Sequence, residues 1–166
     1  MKIHSRNLTN SDYEAMRNLL LSEGPNEWNY ITDESIENQF NLIRSGKAVA
    51  VLLEEIKIVG FAVLILKEAS PEKLEKYTNI SYSAYINDVV VHKNQSGKGF
   101  GSKLLCEAIN LAKIEGCNQV FIERHEENLA SAGMMRKAGF EIVDTFYDPQ
   151  KRSSGTRRTT IQQAST

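Results

Sequence analysis

Three glycines at alternate positions, Gly97, Gly99 and Gly101, stand between a strand-like and a helix-like run in the stretch 84–105, AYINDVVVHKNQSGKGFGSKLL. Glycine takes positive φ readily and lets its N–H approach a ligand with no Cβ in the way. The first turn of a helix leaves N–H groups unpaired at the positive end of its dipole. Strand, glycine loop and helix start together make a seat for phosphate. Beside that seat lie groups able to move protons. Asp88 is a carboxylate inside an otherwise apolar strand, Glu123 closes the next apolar run, and His125 follows with an imidazole whose intrinsic pKa suits a relay near neutrality. Each has a plainer reading beside it: a solvent-facing strand carboxylate for Asp88, an exposed loop histidine for His125. His92 is assigned to the structure of the loop entrance.

Glycine loops before helices occur in several unrelated sites. A P-loop requires Lys then Ser or Thr after its second glycine, and the order here is Gly101-Ser102-Lys103. The dinucleotide fingerprint of an oxidoreductase matches two of three glycines, with Glu123 after the next strand. In that fold, however, the glycines come straight off the strand, whereas residues 92–96 intervene here and too few strands follow to complete a doubly wound sheet.

The loop resembles the acetyl-coenzyme A loop of the GNAT family of N-acetyltransferases, whose pattern is Gln or Arg, two residues, Gly, one residue, then Gly or Ala. Gly99 and Gly101 fill the two small positions; the first position falls on Ser96, with Gln95 one residue early. Asn128 and the helix ending Lys137-Ala138-Gly139-Phe140 extend the likeness, which covers roughly residues 47–147. The resemblance implies acetyl-CoA as cosubstrate, no metal, and a cofactor seat built from Val89, Val90, Val91, Gln95, Ser96, Gly97, Lys98, Gly99, Phe100, Gly101, Ser102 and Asn128. It implies direct acetyl transfer to a primary amine. An alkyl ammonium with a pKa near about 10.4 needs a base at neutral pH. Asp88 is the leading candidate, Glu123 its rival and His125 a relay, with backbone N–H groups near Val89 to Val91 facing the oxyanion. The family places a Tyr four residues before the glycine of its Gly-Phe ending, as proton donor to sulfur. That count lands on Met135, which has no proton to give. A protein that binds acyl-CoA without turning it over is therefore the alternative to an enzyme.

These parts need a frame, and the chain supplies one. Its 166 residues make one domain, residues 1–166, able to bury roughly 70% of its unfolded surface. Cys106 and Cys117 read as two buried or half-buried thiols, no His or Cys spacing suggests a metal, and no apolar export or membrane segment is present. A cytoplasmic protein is expected. The net charge of −1 gives no reason to expect nucleic acid, and a homodimer stays open. The apolar periodicities predict a strand over 2–8, helices over about 11–23 and 33–44, and a hairpin of strands over 48–54 and 58–66. After a short helix or ordered loop at 69–77 come a strand over 83–91, a helix over 99–115 and a short strand at 120–122 parallel to the one before it. A helix capped by Asn128 and strands over 140–147 and 156–162 finish the chain. The class is α/β (α+β): one mixed, mostly antiparallel sheet with a central parallel strand pair and helices on both faces.

For the acceptor the sequence offers charge. Asp12, Glu14, Glu23, Glu27, Asp33, Glu34 and Glu37 stand against the single base Arg17 between Ser11 and Phe40, a local charge of −6 (seven acids, one base). In the family this region walls the acceptor side, so a small cationic amine is expected, steered by opposite charge. Glu123, Glu126 and Glu127 approach from the other side. Glu27, Trp28 and Tyr30 are the expected acceptor contacts, with cation-π attraction available.

Overall fold

Alternating and continuous apolar runs become seven strands of one sheet in the computed structural model, which describes residues 1–166. The elements are β1 (Lys2–His4), α1 (Asn10–Glu23), α2 (Asp33–Arg44), β2 (Ala48–Glu54), β3 (Ile58–Leu66), β4 (Ser83–Val91), α3 (Phe100–Ile114), β5 (Gln119–His125), α4 (Leu129–Lys137), β6 (Glu141–Tyr147) and β7 (Arg158–Ser165). The sheet order is β1-β2-β3-β4-β5-β7-β6, antiparallel throughout except for the parallel pair β4 and β5. The expected class is thus the observed one: a mixed sheet with a central parallel pair. One core lies under α1 and α2, with Met16, Leu20, Ile36 and Phe40 packed on Phe61, Tyr85 and Phe121. The second lies under α3 and α4, where Leu104, Leu105, Ala108, Ala112 and Met135 meet Ile86, Val120 and Ile122. No helix is long and apolar enough to cross a membrane.

Capping residues set the helix starts. Thr9 and Thr32 each accept from the N–H three residues on, and Asp12 and Ser35 return a bond to the cap, closing a capping box at α1 and at α2. The first strand ends at His4 rather than Leu8, and Arg6 just beyond it bonds both Asp12 and Glu54. Residues 67–76 form two short 3-10 turns. β5 runs to His125, three residues past the apolar run, because its polar end pairs with β7 down to His125 opposite Thr159. Cys117 is buried, but Cys106 is exposed on the outer side of α3 and is not the half-buried thiol expected.

Candidate active site

The parallel pairing of β4 with β5 stops at Ile86 opposite Ile122, although β4 continues to Val91 and β5 to His125. Beyond that point the strands part, and the edge of β4 from Asn87 to Val91 has lost its parallel partner. Its other edge carries a bulge. Ala62 pairs with Val89 and Leu64 with Ile86, so Asn87 and Asp88 together oppose the single residue Val63. A bulge breaks the alternation of side chains and re-aims one of them. Here it turns both Asn87 and Asp88 toward α2, where Gln39 donates to Asp88 Oδ2 at 2.6 Å and accepts from Asn87 Nδ2 at 3.1 Å. Asp88 is half-buried. Burial raises its pKa above the ordinary carboxylate value, against the hydrogen bond from Gln39 and the attraction of Lys151.

Glu123 lines the same small cavity as Asp88, together with Asn87, Val89, Ser131 and Met135. Its side chain is 1% exposed and is held by Lys73 and by Lys151, the latter at 2.8 Å. Burial pushes the Glu123 carboxyl up, but Lys151 and Lys73 together more than reverse this, and the net direction is downward. A carboxylate so held is a poor proton acceptor. His125 sits at the end of β5, not in a loop, and is fully buried rather than exposed. Its Nδ1 accepts from the Glu127 N–H at 3.0 Å, so Nε2 carries the proton and donates to the Ser154 carbonyl at 2.8 Å. The Trp28 ring lies 4.7 Å away, centroid to centroid. Both nitrogens are engaged, Nε2 tying β5 to the 148–157 turn and Nδ1 holding the turn into α4, while the ring packs on Trp28 of the α1–α2 loop. His92 caps the turn before the glycine loop by accepting from the Asn94 N–H.

The glycine loop has the geometry its sequence suggests. Gly97 and Gly99 take φ of 77° and 79°, and a Cβ built on either would meet nothing within 4 Å. Their side is open and their constraint is conformational. Gly101 differs, because it lies inside α3 and a Cβ there would strike Met134 Sδ at 2.5 Å. The first helical bond runs from Lys103 N–H to the Gly99 carbonyl, so the N–H groups of Phe100, Gly101 and Ser102 precede the ladder and face outward from the helix end. These features fit a pyrophosphate: free N–H donors, the positive pole of a 15-residue helix and no side chain over the approach. From this loop a groove of about 760 Å³, within the roughly 300–1,000 Å³ of ligand sites, runs along Val89 to Val91 toward α4. Gln95, Ser96, Phe100, Ser102 and Asn128 also line it. Lys98 does not, since its ammonium bonds Gln95 Oε1 at 3.1 Å on the exposed side. Asn128 caps α4 by accepting from the Ser131 N–H at 3.2 Å.

Where the acceptor is expected, the lining differs from the residues the sequence suggests. The α1–α2 loop does wall the cleft, but through Gly24, Asn29 and Ile31. Trp28 packs on His125, Tyr30 is 82% exposed, and neither they nor Glu27 line the cavity. The charge of −6 is offset in part by two cations from outside the segment, Arg6 and Arg44, while the segment's own Arg17 pairs within it. Asp12 pairs with Arg6, Asp33 with Arg17, and Glu37 with both Arg17 and Arg44. Glu126 lies near Arg158, and Glu127 accepts from the Thr156 N–H. Sequence reasoning missed Gln39, Asn87 and Ser131. Gln39 had a signal, since it falls on the apolar stripe of α2 between Ile36 and Phe40 and is 2% exposed. Asn87 and Ser131 had none, because the bulge and the meeting of two cavities exist only in three dimensions.

The sequence model of the acetyltransferase (GNAT) family matches residues 13–140, well over half of the chain, and the protein belongs to that family. GCN5-related N-acetyltransferase 6, chloroplastic, of Arabidopsis thaliana is 31% identical over 61 residues, which span 37% of this chain and only 21% of that relative. Among solved structures, AAC(6')-Ib in complex with paromomycin and acetyl-CoA aligns with a TM-score of 0.76 at 18% identity, covering 99% of this chain and 94% of that one. Spermidine N-acetyltransferase from Vibrio cholerae, in complex with CoA and spermine, aligns with a TM-score of 0.73 at 16% identity, covering 98% and 95%. At these identities the likeness is one of fold.

Proposed function

We propose that the protein is an acetyl-CoA-dependent N-acetyltransferase that acetylates the primary amine of a small molecule by direct attack. The observation that carries this reading is the parting of β4 and β5 between the glycine-loop groove and the Asp88 carboxylate. Acetyl-CoA seated by the loop N–H groups would bring its thioester to this gap. Asp88, raised by burial and steadied by Gln39, accepts the proton of the entering ammonium, directly or through a water. The unpaired edge of β4 at Val89 to Val91 offers backbone N–H groups to the carbonyl oxygen as it gains charge. Glu123, held by two lysines, and His125, with both nitrogens bonded, position the site and leave the proton transfer to Asp88. The cavity at Asp88 is only about 80 Å³, which suits a slender aminomethyl group. Spermine and the aminoglycoside bound by the two structural relatives carry amines of that kind. A cationic acceptor rests here on Asp88, which lines the cavity, rather than on the acidic segment as a whole.

The second reading, a non-catalytic acyl-CoA binder, is favoured by one residue. Met135 is 3% exposed and part of the core under α4, where the family has its proton donor. Free-thiol release from acetyl-CoA, followed with a panel of primary amines, separates the two. Amine-dependent release that disappears in Asp88→Asn supports the enzyme. Tight CoA binding with no release for any amine supports the binder.

A further inference from the structure

The loop groove and the small Asp88 cavity meet, and the residues lining both are Gly24, Asn29, Val89, Val90, Ser131 and Met134. A thioester reaching from the groove to an amine at Asp88 must cross this junction, with its sulfur among these residues. Only Asn29 and Ser131 of the six carry a side-chain N–H or O–H, and only Ser131 carries a hydroxyl, which can give one proton and take another. Ser131 stands in the first turn of α4, one turn before Met135 and so on the same helix face. Its backbone is fixed by Asn128, whose own N–H bonds the His125 carbonyl at 3.1 Å. The other hydroxyls of the groove are engaged: Ser96 bonds the Lys93 carbonyl at 2.7 Å and Ser102 the Met134 carbonyl at 3.1 Å. The Ser131 hydroxyl makes no such bond within the protein.

We propose that Ser131 serves the departing sulfur of coenzyme A in the role Met135 cannot fill, an inference that rests on the acetyltransferase reading above. When the C–S bond breaks, its electron pair stays on sulfur. Ser131 donates to that sulfur, and its oxygen takes up the proton left on the newly acylated nitrogen, directly or passed on by a groove water. The products are the amide and the free thiol, and the serine ends as it began. A thiol with a pKa near about 8.5 is far more acidic than an alcohol, so the hydroxyl acts as a hydrogen-bond donor and relay.

Calorimetry with CoA and desulfo-CoA reads this directly, because only one ligand has the sulfur. Ser131→Ala should weaken CoA binding severalfold above the thiol pKa, leave desulfo-CoA binding as in wild type, and lower kcat roughly tenfold to a hundredfold. Ser131→Thr, which keeps the hydroxyl, should recover most of both. Equal losses for the two ligands mark a structural role and overturn the proposal, as does an unchanged kcat with unchanged affinities. A wild-type protein that binds neither ligand fails the acetyltransferase reading itself, and this inference with it.

Discussion

The amide nitrogen of Gln39, on α2, lies 2.6 Å from Oδ2 of Asp88, on the bulge of β4. The two residues are 49 apart in the chain and join a helix of one layer to the edge of the cleft. This bond favours the ionised carboxylate and opposes the upward push of burial. Gln39→Leu should therefore raise the Asp88 pKa further. Since the ionised form is the base, the acidic limb of kcat/KM against pH should move to higher pH, while CoA affinity holds. A limb that stays in place would detach Asp88 from the proton transfer.

Asp88→Asn should lose activity and gain stability. Removal of a general base costs about 10²- to 10⁴-fold in rate. On stability the sign is set by the raised pKa. A carboxyl whose folded pKa exceeds its unfolded one contributes stability below the unfolded value, and loses it as pH rises through the folded value. At neutral pH wild type bears the cost of a buried charge that the amide avoids. The Tm of Asp88→Asn should exceed that of wild type at pH 7, and the gap should close toward about pH 4.

Glu123 has the opposite sign. Its pKa is lowered on balance by Lys151 and Lys73, so its contribution to stability is present above the unfolded carboxyl pKa and fades as pH falls. Glu123→Ala removes the common partner of two half-exposed lysines. It should cost about 1–3 kcal/mol in urea unfolding at pH 7, with a smaller difference in acid.

The two loop glycines should fail differently. Gly99→Ala places a side chain at φ 79°, a left-handed conformation costing roughly 1–2 kcal/mol, and CoA binding weakens because the loop shifts. Gly101→Ala has no such strain but pushes Met134 toward the groove, so CoA affinity falls while unfolding free energy changes little. Calorimetry and urea unfolding on both variants check the pair.

Much of the frame was legible in sequence. Helix 33–44, the hairpin strands 48–54 and 58–66 and strand 83–91 lie where their apolar periods place them, because each buries a continuous stripe or face. The end of β5 was not, since Glu123, Arg124 and His125 lack apolar character and are held by partners remote in sequence, namely Lys73 and Lys151, Gln162, and Ser154. The charge count was incomplete for the same reason. A count over residues 11–40 includes Asp12 and Glu37 but omits Arg6 and Arg44, which fold back onto them. The shape of the glycine loop was legible because its geometry is local, being written in φ angles and a helix end. The wall of the Asp88 cavity is assembled from segments distant in sequence, and so Gly24, Asn29 and Ile31 line it whereas Glu27, Trp28 and Tyr30 do not.

The central claim is that acetyl passes directly from acetyl-CoA to a primary amine held beside Asp88. Initial rates of thiol release over a grid of acetyl-CoA and amine concentrations test it most directly. Direct attack requires both substrates bound together and predicts double-reciprocal lines that intersect, with one acetylated amine formed per thiol released. Parallel lines, or thiol release indifferent to the amine, would contradict it.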